Sequence, residues 1–544
     1  MSRIKIFGLG GLNESGKNTY CVCVDQDVYI FDCGLKYANE NLYGVDYIIP
    51  DFSFLVKYRK HIKGLFLTHA HYENMGATID LVRAIPELRV FATKYTKFIL
   101  EQEGLDPKNI IEITPHKKIV FGDNSVFPIS VSHSTPDSVM YVLNTKDGAI
   151  CYTGDFIIDP TMMGAYDMDL GKIAYVGKQG VLALLSESSF SERPGQTSPQ
   201  HRLKPFLKKQ VQHASDRIIF TVLPTHLYTI QAILSSAENS HRKVVLMGKQ
   251  LQNIVNFSIQ QGYLTIQKDL LGDLSNIDDK DSIIILSDNR STPYSNLSKI
   301  LGGYDKFIRL KKNDTIIFTE PRYDATERLL VKLENDLAEA GCNVVPLPKD
   351  KTILLHASQE DLMLMIKLIN PKYYIPVKGE YRYMVNNANL AKKLMMPDEN
   401  IILKQNGEVI NIVDGKYEDK VEKIKVNDVL IDGTSSEDVG DLVIKDRQML
   451  SENGIVLISA TISKQGHQLL VGPEVTTRGF IYIKSNIDMI QEMKKISESV
   501  IVRNISDAYI DFNKIKNEIR EELGNYLFDE TECKPMIIAV IQEV

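Results

Sequence analysis

Short apolar runs, each closed by glycine or an acidic residue, dominate the first two hundred residues of the chain. Residues 28–31 are followed by Asp32-Cys33-Gly34, and residues 149–152 are followed by Thr153-Gly154-Asp155. Apolar runs of this length predict buried β-strands, and the polar residues after them predict loops. Because α/β proteins place much of their chemistry in loops at strand ends, functional residues are expected directly after these strands.

The pattern changes near residue 207, where apolar runs begin to alternate with helical stretches such as the one ending at Ala237. This alternation predicts a parallel-sheet unit. Residues 188–205 form a polar stretch that contains prolines and a glycine, and a domain crossing is predicted within this stretch. Helical charge patterning extends over residues 487–527. The strands predicted from residue 207 onward lie at 217–223, 243–247, 282–286, 351–355, 454–459 and 536–541.

Composition narrows the class of protein. The chain has 544 residues, of which 44% are hydrophobic, as suits a multidomain protein with several cores. It has no run of about 18 apolar residues and no signal-peptide pattern, and its six cysteines are scattered without zinc-like spacing. A cytoplasmic protein with reduced thiols and no membrane partner is therefore expected. A nucleic-acid binder usually has a basic surplus, whereas the formal net charge here is −7. Any nucleic-acid site must therefore be a local patch or groove.

The most informative motif follows a predicted strand at residues 64–67. Thr68-His69-Ala70-His71 places two imidazoles on one side of a loop, and Glu73-Asn74 comes directly after it. Imidazole is a common ligand for transition metals. A His-x-His pair alone, however, is more often structural or at the surface than part of a metal-ligand set. Further motifs are therefore needed before a metal site is predicted.

Those matches are present along nearly the whole chain. Together with the histidine motif, they make the sequence resemble ribonuclease J, a family of metallo-β-lactamase/β-CASP exo- and endoribonucleases of bacterial RNA decay. The matching segments are residues 8–19, 44–51, 132–138, 153–156, 376–382, 472–474 and 477–480.

The resemblance implies an α/β protein with a four-layer αβ/βα metallo-β-lactamase fold, an inserted β-CASP domain and a small α/β C-terminal domain. The expected divisions are a first metallo-β-lactamase part at 1–205, the β-CASP domain at 206–352, a metallo-β-lactamase return segment with linker at 353–448, and a C-terminal assembly domain at 449–544.

The resemblance also implies two divalent metals that share a carboxylate. The first ligand set would be His69, His71 and His133, with Asp155 as the bridge, and these residue types suit Zn²⁺ or Mn²⁺. The second set departs from the family. In place of an aspartate and two histidines, its positions hold Glu73, Asn74 and Lys378.

The second metal position is therefore expected to be non-functional. Asn74 is a poor neutral ligand for a transition metal, and the ammonium of Lys378 has no lone pair to offer. We expect Zn²⁺ or Mn²⁺ at one site at most, with a metal-free site as the alternative. The Lys378 side chain is expected to pair with Glu73 or Asp155, unless it is solvated.

A phosphate-binding loop of the family also differs here. It would comprise His356, Ala357, Ser358, Gln359 and Glu360, with His226 nearby in a β-CASP motif. The family's Gly-His part of the loop is missing. The alternative is that Ser358 caps a helix beginning near Gln359.

Two further departures and one candidate calcium ligand complete the comparison with the family pattern. Glu187 stands in an acidic motif and is either a functional carboxylate or a strand-end charge, and a Gly-rich loop has become Ser287 to Pro293. Asp432 is a candidate ligand for a structural Ca²⁺ with loop oxygens near residues 43–46, although Asp432-Gly433 is also a plain turn signal.

These observations predict a ribonuclease J-type protein of bacterial mRNA decay and rRNA maturation. They resemble the second paralogue that some low-GC Gram-positive bacteria keep beside an active enzyme. The 5′–3′ exoribonuclease activity is expected to be weak or absent. Any remaining activity would depend on Asp155, His133, Lys378 and Glu73. RNA, an active paralogue and a second copy of the chain are the expected partners. The alternative is a non-catalytic RNA-binding scaffold without metal.

Overall fold

The computed structural model describes most of the chain. The described residues are 2–38, 42, 44–198, 202–238, 240–274, 279–287, 294–320, 327–347, 356–432, 441–463, 467–480, 486–505 and 510–544. Two of the predictions lie outside them, namely the strand at 351–355 and most of the altered loop at 287–293.

Strands occur throughout the described residues. In chain order they are Arg3–Gly10 (β1), Thr19–Val24 (β2), Asp27–Phe31 (β3), Lys36–Tyr37 (β4), Tyr47–Pro50 (β5), Ile62–Phe66 (β6), Val90–Ala92 (β7), Ile110–Glu112 (β8), Ile119–Phe121 (β9), Asn124–Ser130 (β10), Val139–Thr145 (β11), Gly148–Tyr152 (β12), Val181–Glu187 (β13), Ile218–Val222 (β14), Lys243–Met247 (β15), Ser282–Ser287 (β16), Thr315–Phe318 (β17), Asn343–Val345 (β18), Tyr373–Val377 (β19), Ile410–Val413 (β20), Lys416–Glu418 (β21), Asp428–Ile431 (β22), Ile455–Ser463 (β23), Gln468–Arg478 (β24) and Met536–Glu543 (β25).

Helices follow most of the parallel strands. In chain order they are Ser53–Lys57 (α1), Tyr72–Met75 (α2), Thr78–Ala84 (α3), Lys94–Gln102 (α4), Leu170–Gln179 (α5), Lys204–His213 (α6), Leu227–Ala237 (α7), Lys249–Gln260 (α8), Ser295–Leu301 (α9), Glu327–Glu339 (α10), Gln359–Ile369 (α11), Tyr381–Lys393 (α12), Asp441–Asn453 (α13), Ile487–Ile505 (α14) and Phe512–Thr531 (α15). None of the helices in the described ranges is both long and apolar enough to cross a membrane.

Two large sheets, built mainly from the first part of the chain, pack face to face. Within the described residues, one sheet has the order β21-β20-β1-β2-β3-β6-β7-β8 and the other β19-β13-β12-β11-β10-β9. Aromatic side chains such as Phe31, Phe66 and Tyr141 fill the space between them. Helices α1, α3 and α4 cover the outer face of the first sheet, and α5, α11 and α12 cover that of the second. The predicted four-layer metallo-β-lactamase fold is confirmed.

The chain completes these sheets only after a long insertion. Strand β19 pairs in parallel with β13, with Ala183 opposite Tyr373, and β20 pairs antiparallel with β1, with Ile4 opposite Ile412. All seven residues of β13 are buried, as expected for a central strand covered on both faces. The return segment therefore places residues near 378 beside loops from the first part of the chain.

The insertion contains a sheet of its own. Its order is β15-β16-β14-β17-β18 over the described residues, and all four pairings between these neighbours are parallel. Helices α9 and α10 cover one face, while α6, α7 and α8 cover the other. The parallel-sheet unit predicted from residue 207 onward is thus present, because its apolar runs are buried between two helical layers.

The remaining residues, 437–544 with 40–45, form a second compact unit. Its sheet has the order β24-β23-β25 among the described strands, and α14 and α15 cover one face. Strand β23 alternates between buried and more exposed residues, as a half-covered sheet requires. The region of helical charge patterning at 487–527 contains helix α14 and most of helix α15. The predicted boundary at 448/449 falls inside α13.

Candidate metal centre

Four residues expected to bind metal meet at the ends of three strands. His69 and His71 follow β6, His133 follows β10, and Asp155 follows β12. One ligand atom from each lies within 4.8 Å of those of the others. All four side chains are buried. The strand-end loops therefore assemble a compact set of three imidazoles and one carboxylate from three distant segments.

Hydrogen bonds orient two of these imidazoles. Thr68 Oγ1 lies 2.9 Å from His69 Nδ1 and donates to Asp32 Oδ2 at 2.9 Å. Ser134 Oγ lies 2.9 Å from His71 Nε2. The other nitrogen of each ring is thereby directed toward the centre, as is usual for histidines that bind metals.

The donor set fits one divalent metal ion. Burial, followed by neighbouring imidazoles, holds the pKa of both His71 and His133 well below the usual value, so both rings are neutral and carry a lone pair. His69 Nε2 and Asp155 Oδ1 are buried and have no hydrogen-bond partner in the described part of the chain. Neutral imidazoles with a carboxylate are ligands that Zn²⁺ and Mn²⁺ accept.

Lys378 enters this centre from the end of β19. Its ammonium is hydrogen bonded to Asp155 Oδ2 and lies 3.3 Å from Asn74 Oδ1, and the residue is 5% exposed. Burial lowers the pKa of Lys378, but the charges of Asp155, Glu73 and Glu187 more than offset this, so its pKa lies above the usual value. The lysine is therefore a buried cation, and of the two partners predicted for it Asp155 is the one bonded.

Asn74 connects Lys378 to a second carboxylate. Its side-chain amide donates to Asp32 Oδ2 at 2.7 Å, while its carbonyl oxygen accepts from Lys378. Tyr152 OH donates to the same Asp32 oxygen at 2.8 Å. Both the nitrogen and the oxygen of the Asn74 side-chain amide are thus hydrogen bonded, which fixes its orientation. With an ammonium in contact with Asp155, the second-site positions do not fit a second metal ion.

Glu73 belongs to a smaller acidic group with Asp155 and His356. Its carboxylate lies 3.9 Å from His71 Nδ1. Burial lowers the pKa of His356, but the charges of Glu187 and Asp155 raise it by more than burial lowers it. The pKa of His356 therefore lies above its usual value. A raised pKa favours the protonated imidazole, which has no lone pair to offer a metal. His356 therefore fits a metal less well than the neutral imidazoles of His71 and His133.

Glu187, whose role the sequence left open between a functional carboxylate and a strand-end charge, lies at this site. It ends β13, and its Oε2 lies 2.6 Å from His356 Nδ1. Its Oε1 accepts from the backbone N–H of Phe156 at 2.9 Å and of Ala357 at 3.3 Å. The signal was present in the acidic motif around Glu187. Which residue the carboxylate would contact depended on tertiary packing.

The predicted phosphate loop divides into two parts. His356 lies near the centre, 3.9 Å from Asp155 Oδ2. Ser358 is instead the N-cap of α11, in a capping box with Asp361, and its hydroxyl lies 2.8 Å from that of Thr197. The structure does not bring the rest of the loop to the metal ligands. Ala357 is buried, Gln359 bonds to Ser191, and Glu360 is exposed.

His226 is brought to the centre by the inserted domain. It follows β14 at the start of α7, and its ring stacks on that of His71 with centroids 4.3 Å apart. Burial, with help from His69 and His356, lowers the pKa of His226 to about 3. This ring is therefore neutral and packs directly behind a metal-ligand candidate.

The candidate calcium position cannot be assembled from the described residues. Asp432 follows β22, but Tyr43 and Gly433, which the prediction also used, lie outside the described residues.

Three protein-family models match three separate ranges of the chain. Residues 442–544 match the family model described as Ribonuclease J C-terminal domain, and residues 215–329 match the one described as Ribonuclease J, beta-CASP domain. Residues 355–403 match the Zn-dependent metallo-hydrolase RNA specificity domain. This last model, which begins just before His356, points to a metal cofactor and to RNA as a partner.

Full-length relatives point the same way. The chain is 32% identical over 549 residues to Ribonuclease J2 of Bacillus subtilis, with 99% of each chain covered. It is 30% identical to Ribonuclease J 2 of Staphylococcus saprophyticus and of Staphylococcus aureus, with 99% of this chain and 98% of theirs covered. A solved protein of unknown function from Enterococcus faecalis shares the fold, with a TM-score of 0.51 and 18% identity over 75% of this chain and 100% of that one.

Proposed function

The chain belongs to the ribonuclease J family, and on this basis we propose that it is the family's second paralogue with one divalent metal at most and weak or absent 5′–3′ exoribonuclease activity. It would act in mRNA decay and rRNA maturation in the cytoplasm. The domain divisions at 1–205, 206–352, 353–448 and 449–544 are part of this proposal. One observation carries it: the ammonium of Lys378 is bonded to the carboxylate that two metals would have to share.

Residual catalysis would need the retained ligand set. His69, His71, His133 and Asp155 would hold the ion. When bound, a divalent ion supplies Lewis acidity and lowers the pKa of water. Two-metal hydrolysis would need a second ion at the shared carboxylate. Here that carboxylate is bonded to the fixed positive charge of Lys378 instead. The rate is therefore expected to be low.

Two cations of the chain itself could still assist. The pKa of His356 is raised by Glu187 and Asp155, and the ring lies 3.9 Å from Asp155, so it is positioned to donate a proton to a leaving oxygen. Lys378 offers positive charge to phosphate oxygens, but its bond to Asp155 must first loosen. Glu73, which is less buried than His71 and lies 3.9 Å from its Nδ1, would add negative charge beside the ligand set.

The test pairs metal analysis with RNA decay. Metal content of the purified full-length protein is measured by mass spectrometry, and decay of a 5′-monophosphorylated RNA is followed in Mn²⁺. His69→Ala and Asp155→Ala serve as controls against a contaminating nuclease. One ion per chain, with decay lost in both variants, would establish a weak one-metal ribonuclease. Two ions per chain with rapid decay would refute the proposal.

A second candidate function is a non-catalytic, RNA-binding scaffold that assembles with an active paralogue. The same Lys378–Asp155 pair favours it, because that pair already neutralises the centre without metal. The C-terminal unit has its own sheet, helices and buried core among the described residues, and it would supply the contact surface, either for a paralogue or for a second copy.

This candidate has its own experiment. Copurification with the active paralogue is compared for the full chain, a chain truncated near Leu450, and variants of the C-terminal strand β25. Loss of the complex in the last two supports assembly through this domain. A normal complex formed by the truncated chain would refute it. Absence of both metal and RNA decay in the full chain would favour the scaffold over the weak enzyme.

A further inference from the structure

The inserted domain carries an exposed aromatic and basic loop that the metal centre does not use. Residues 299–312 hold five basic side chains and one acidic side chain, within a chain whose net charge is −7. The basic residues Lys299, Lys306, Arg309, Lys311 and Lys312 are all exposed. Tyr304 and Phe307 lie among them and are 83% and 80% exposed. We call residues 299–312 the aromatic–basic loop.

This loop has a defined conformation. Ile308 is buried in the core beneath it. Asp305 Oδ1 accepts from the backbone N–H groups of Phe307 and Ile308 at 2.8 Å, and Arg217 donates to the carbonyl of Arg309 at 2.6 Å. These bonds engage the single acidic side chain and fix the backbone. The two aromatic rings are therefore presented to solvent from an ordered base.

Two glycines, which have no Cβ atom, leave room for two side chains of the loop. A Cβ atom at Gly302 would come within 2.8 Å of the Tyr304 ring, and one at Gly303 would come within 2.8 Å of an Arg309 guanidinium nitrogen. The aromatic ring and the guanidinium thus rest against neighbouring backbone positions. One side of the Tyr304 ring is supported while most of its surface stays open.

The loop lies at the far edge of the sheet from the metal centre. It leads into β17, whereas His226 follows the carboxyl end of the parallel strand β14. A five-residue strand such as β14 spans about 16 Å. The loop is therefore separated from the metal centre by about the height of the sheet.

We propose that the aromatic–basic loop is a peripheral binding site for single-stranded RNA, with bases stacked on Tyr304 and Phe307 and phosphates contacted by the surrounding cations. Aromatic rings interleaved with basic residues are the usual platform for unpaired bases. Lys306, Arg309 and Lys312 have no ion-pair partner among the residues described, so their charge is available to phosphates. The site would hold RNA without cutting it. This inference rests on the proposed RNA-binding function.

The test measures affinity of the full chain for a fluorescein-labelled oligouridine by anisotropy. Tyr304→Leu with Phe307→Leu keeps exposed apolar area but removes the π faces, and we expect about tenfold weaker binding for each ring removed. Tyr304→Trp with Phe307→Trp should bind as tightly as the natural chain. The matched control is Tyr175→Leu, which changes a tyrosine that is 58% exposed on α5.

Charge is tested separately. Replacing Lys306, Arg309 and Lys312 by glutamine should flatten the dependence of log affinity on log salt by about 0.7 for each phosphate that is no longer neutralised. Photocrosslinking of a 4-thiouridine oligonucleotide to the natural chain should label Tyr304 or Phe307, a result that does not depend on any variant folding correctly.

The outcomes separate this proposal from the proposed function. Unchanged affinity in the leucine and glutamine variants, with crosslinks elsewhere, would overturn the peripheral site and leave RNA binding intact. No affinity of the natural chain for RNA would overturn both. Binding of anionic vesicles or of a polyglutamate peptide that these variants lose, with RNA affinity unchanged, would assign the loop to another partner and would also overturn the proposal.

Discussion

Lys378 and Asp155 form a buried ion pair at the position where the family's two metals would share a carboxylate. The backbone of Lys378 is left-handed, with φ of 56°, a conformation that costs a non-glycine residue about 1 kcal/mol. Both the backbone and the side chain are thus held in an unusual state by the surrounding loops. The pair explains how a carboxylate suited to binding cations can stay ionised without a second metal.

Removing the ammonium should destabilise the metal-free protein. In Lys378→Met the Asp155 carboxylate is left buried without its cation, and the free energy of unfolding should fall by about 3–5 kcal/mol in chelator. Mn²⁺ or Zn²⁺ should restore part of the loss, because a metal ion can replace the missing charge. Urea denaturation with chelator and with metal measures both effects.

The control for that experiment is Lys392→Met, which breaks an exposed pair with Asp398. Its cost should be about 1 kcal/mol or less. Equal losses in the two variants, or no response of Lys378→Met to metal, would contradict the account of the buried pair.

Rebuilding the second ligand set should restore metal binding. Asn74→His with Lys378→His removes the ammonium and supplies two imidazoles beside Asp155, so a second ion should bind and RNA decay should accelerate. Metal content by mass spectrometry and single-turnover decay of 5′-monophosphorylated RNA measure the gain. Addition of Asp155→Ala to this variant should abolish it. An unchanged metal content would show that other features exclude the second ion.

The His356–Glu187 pair predicts a pH dependence of stability. The pKa of His356 is raised in the folded, metal-free protein, so its contribution is fully present below the unfolded pKa of about 6.5 and is lost as pH rises through the folded value. Glu187→Gln removes the strongest cause that raises this pKa and should reduce that loss. Urea midpoints in chelator, taken on both sides of about pH 6.5, test this. Parallel curves for the two proteins would argue against a protonated His356.

Ser358 is predicted to stabilise the protein rather than to bind phosphate. Ser358→Ala removes the N-cap of α11 and should lower the free energy of unfolding by about 1 kcal/mol. The ratio of affinities for 5′-monophosphorylated and 5′-hydroxyl RNA should not change, because the hydroxyl is buried against Thr197. Ser499→Ala, at an exposed position in α14, should cost within about 0.5 kcal/mol. A selective loss of affinity for the phosphorylated RNA would restore the phosphate-binding role.

Much of the architecture was predictable because its signals are local. Apolar runs followed by polar residues predicted strands such as β3, β12 and β14. The alternation of apolar runs with helical stretches after residue 207 predicted the parallel sheet. The chemistry of single residues was equally readable. An ammonium at position 378 argues against a second metal whatever the surrounding fold, since it has no lone pair.

The pairings between side chains needed the tertiary structure. Glu187 and His356 are separated by 169 positions, and Lys378 and Asp155 by 223. The sequence by itself determined the family, the layers of the fold and the ligand types available. Only the tertiary structure decided that Lys378 bonds Asp155 rather than Glu73, that Glu187 holds His356, and that His226 stacks on His71. The reason is physical: local patterning sets each element, whereas the packing of distant strand ends sets which polar groups meet.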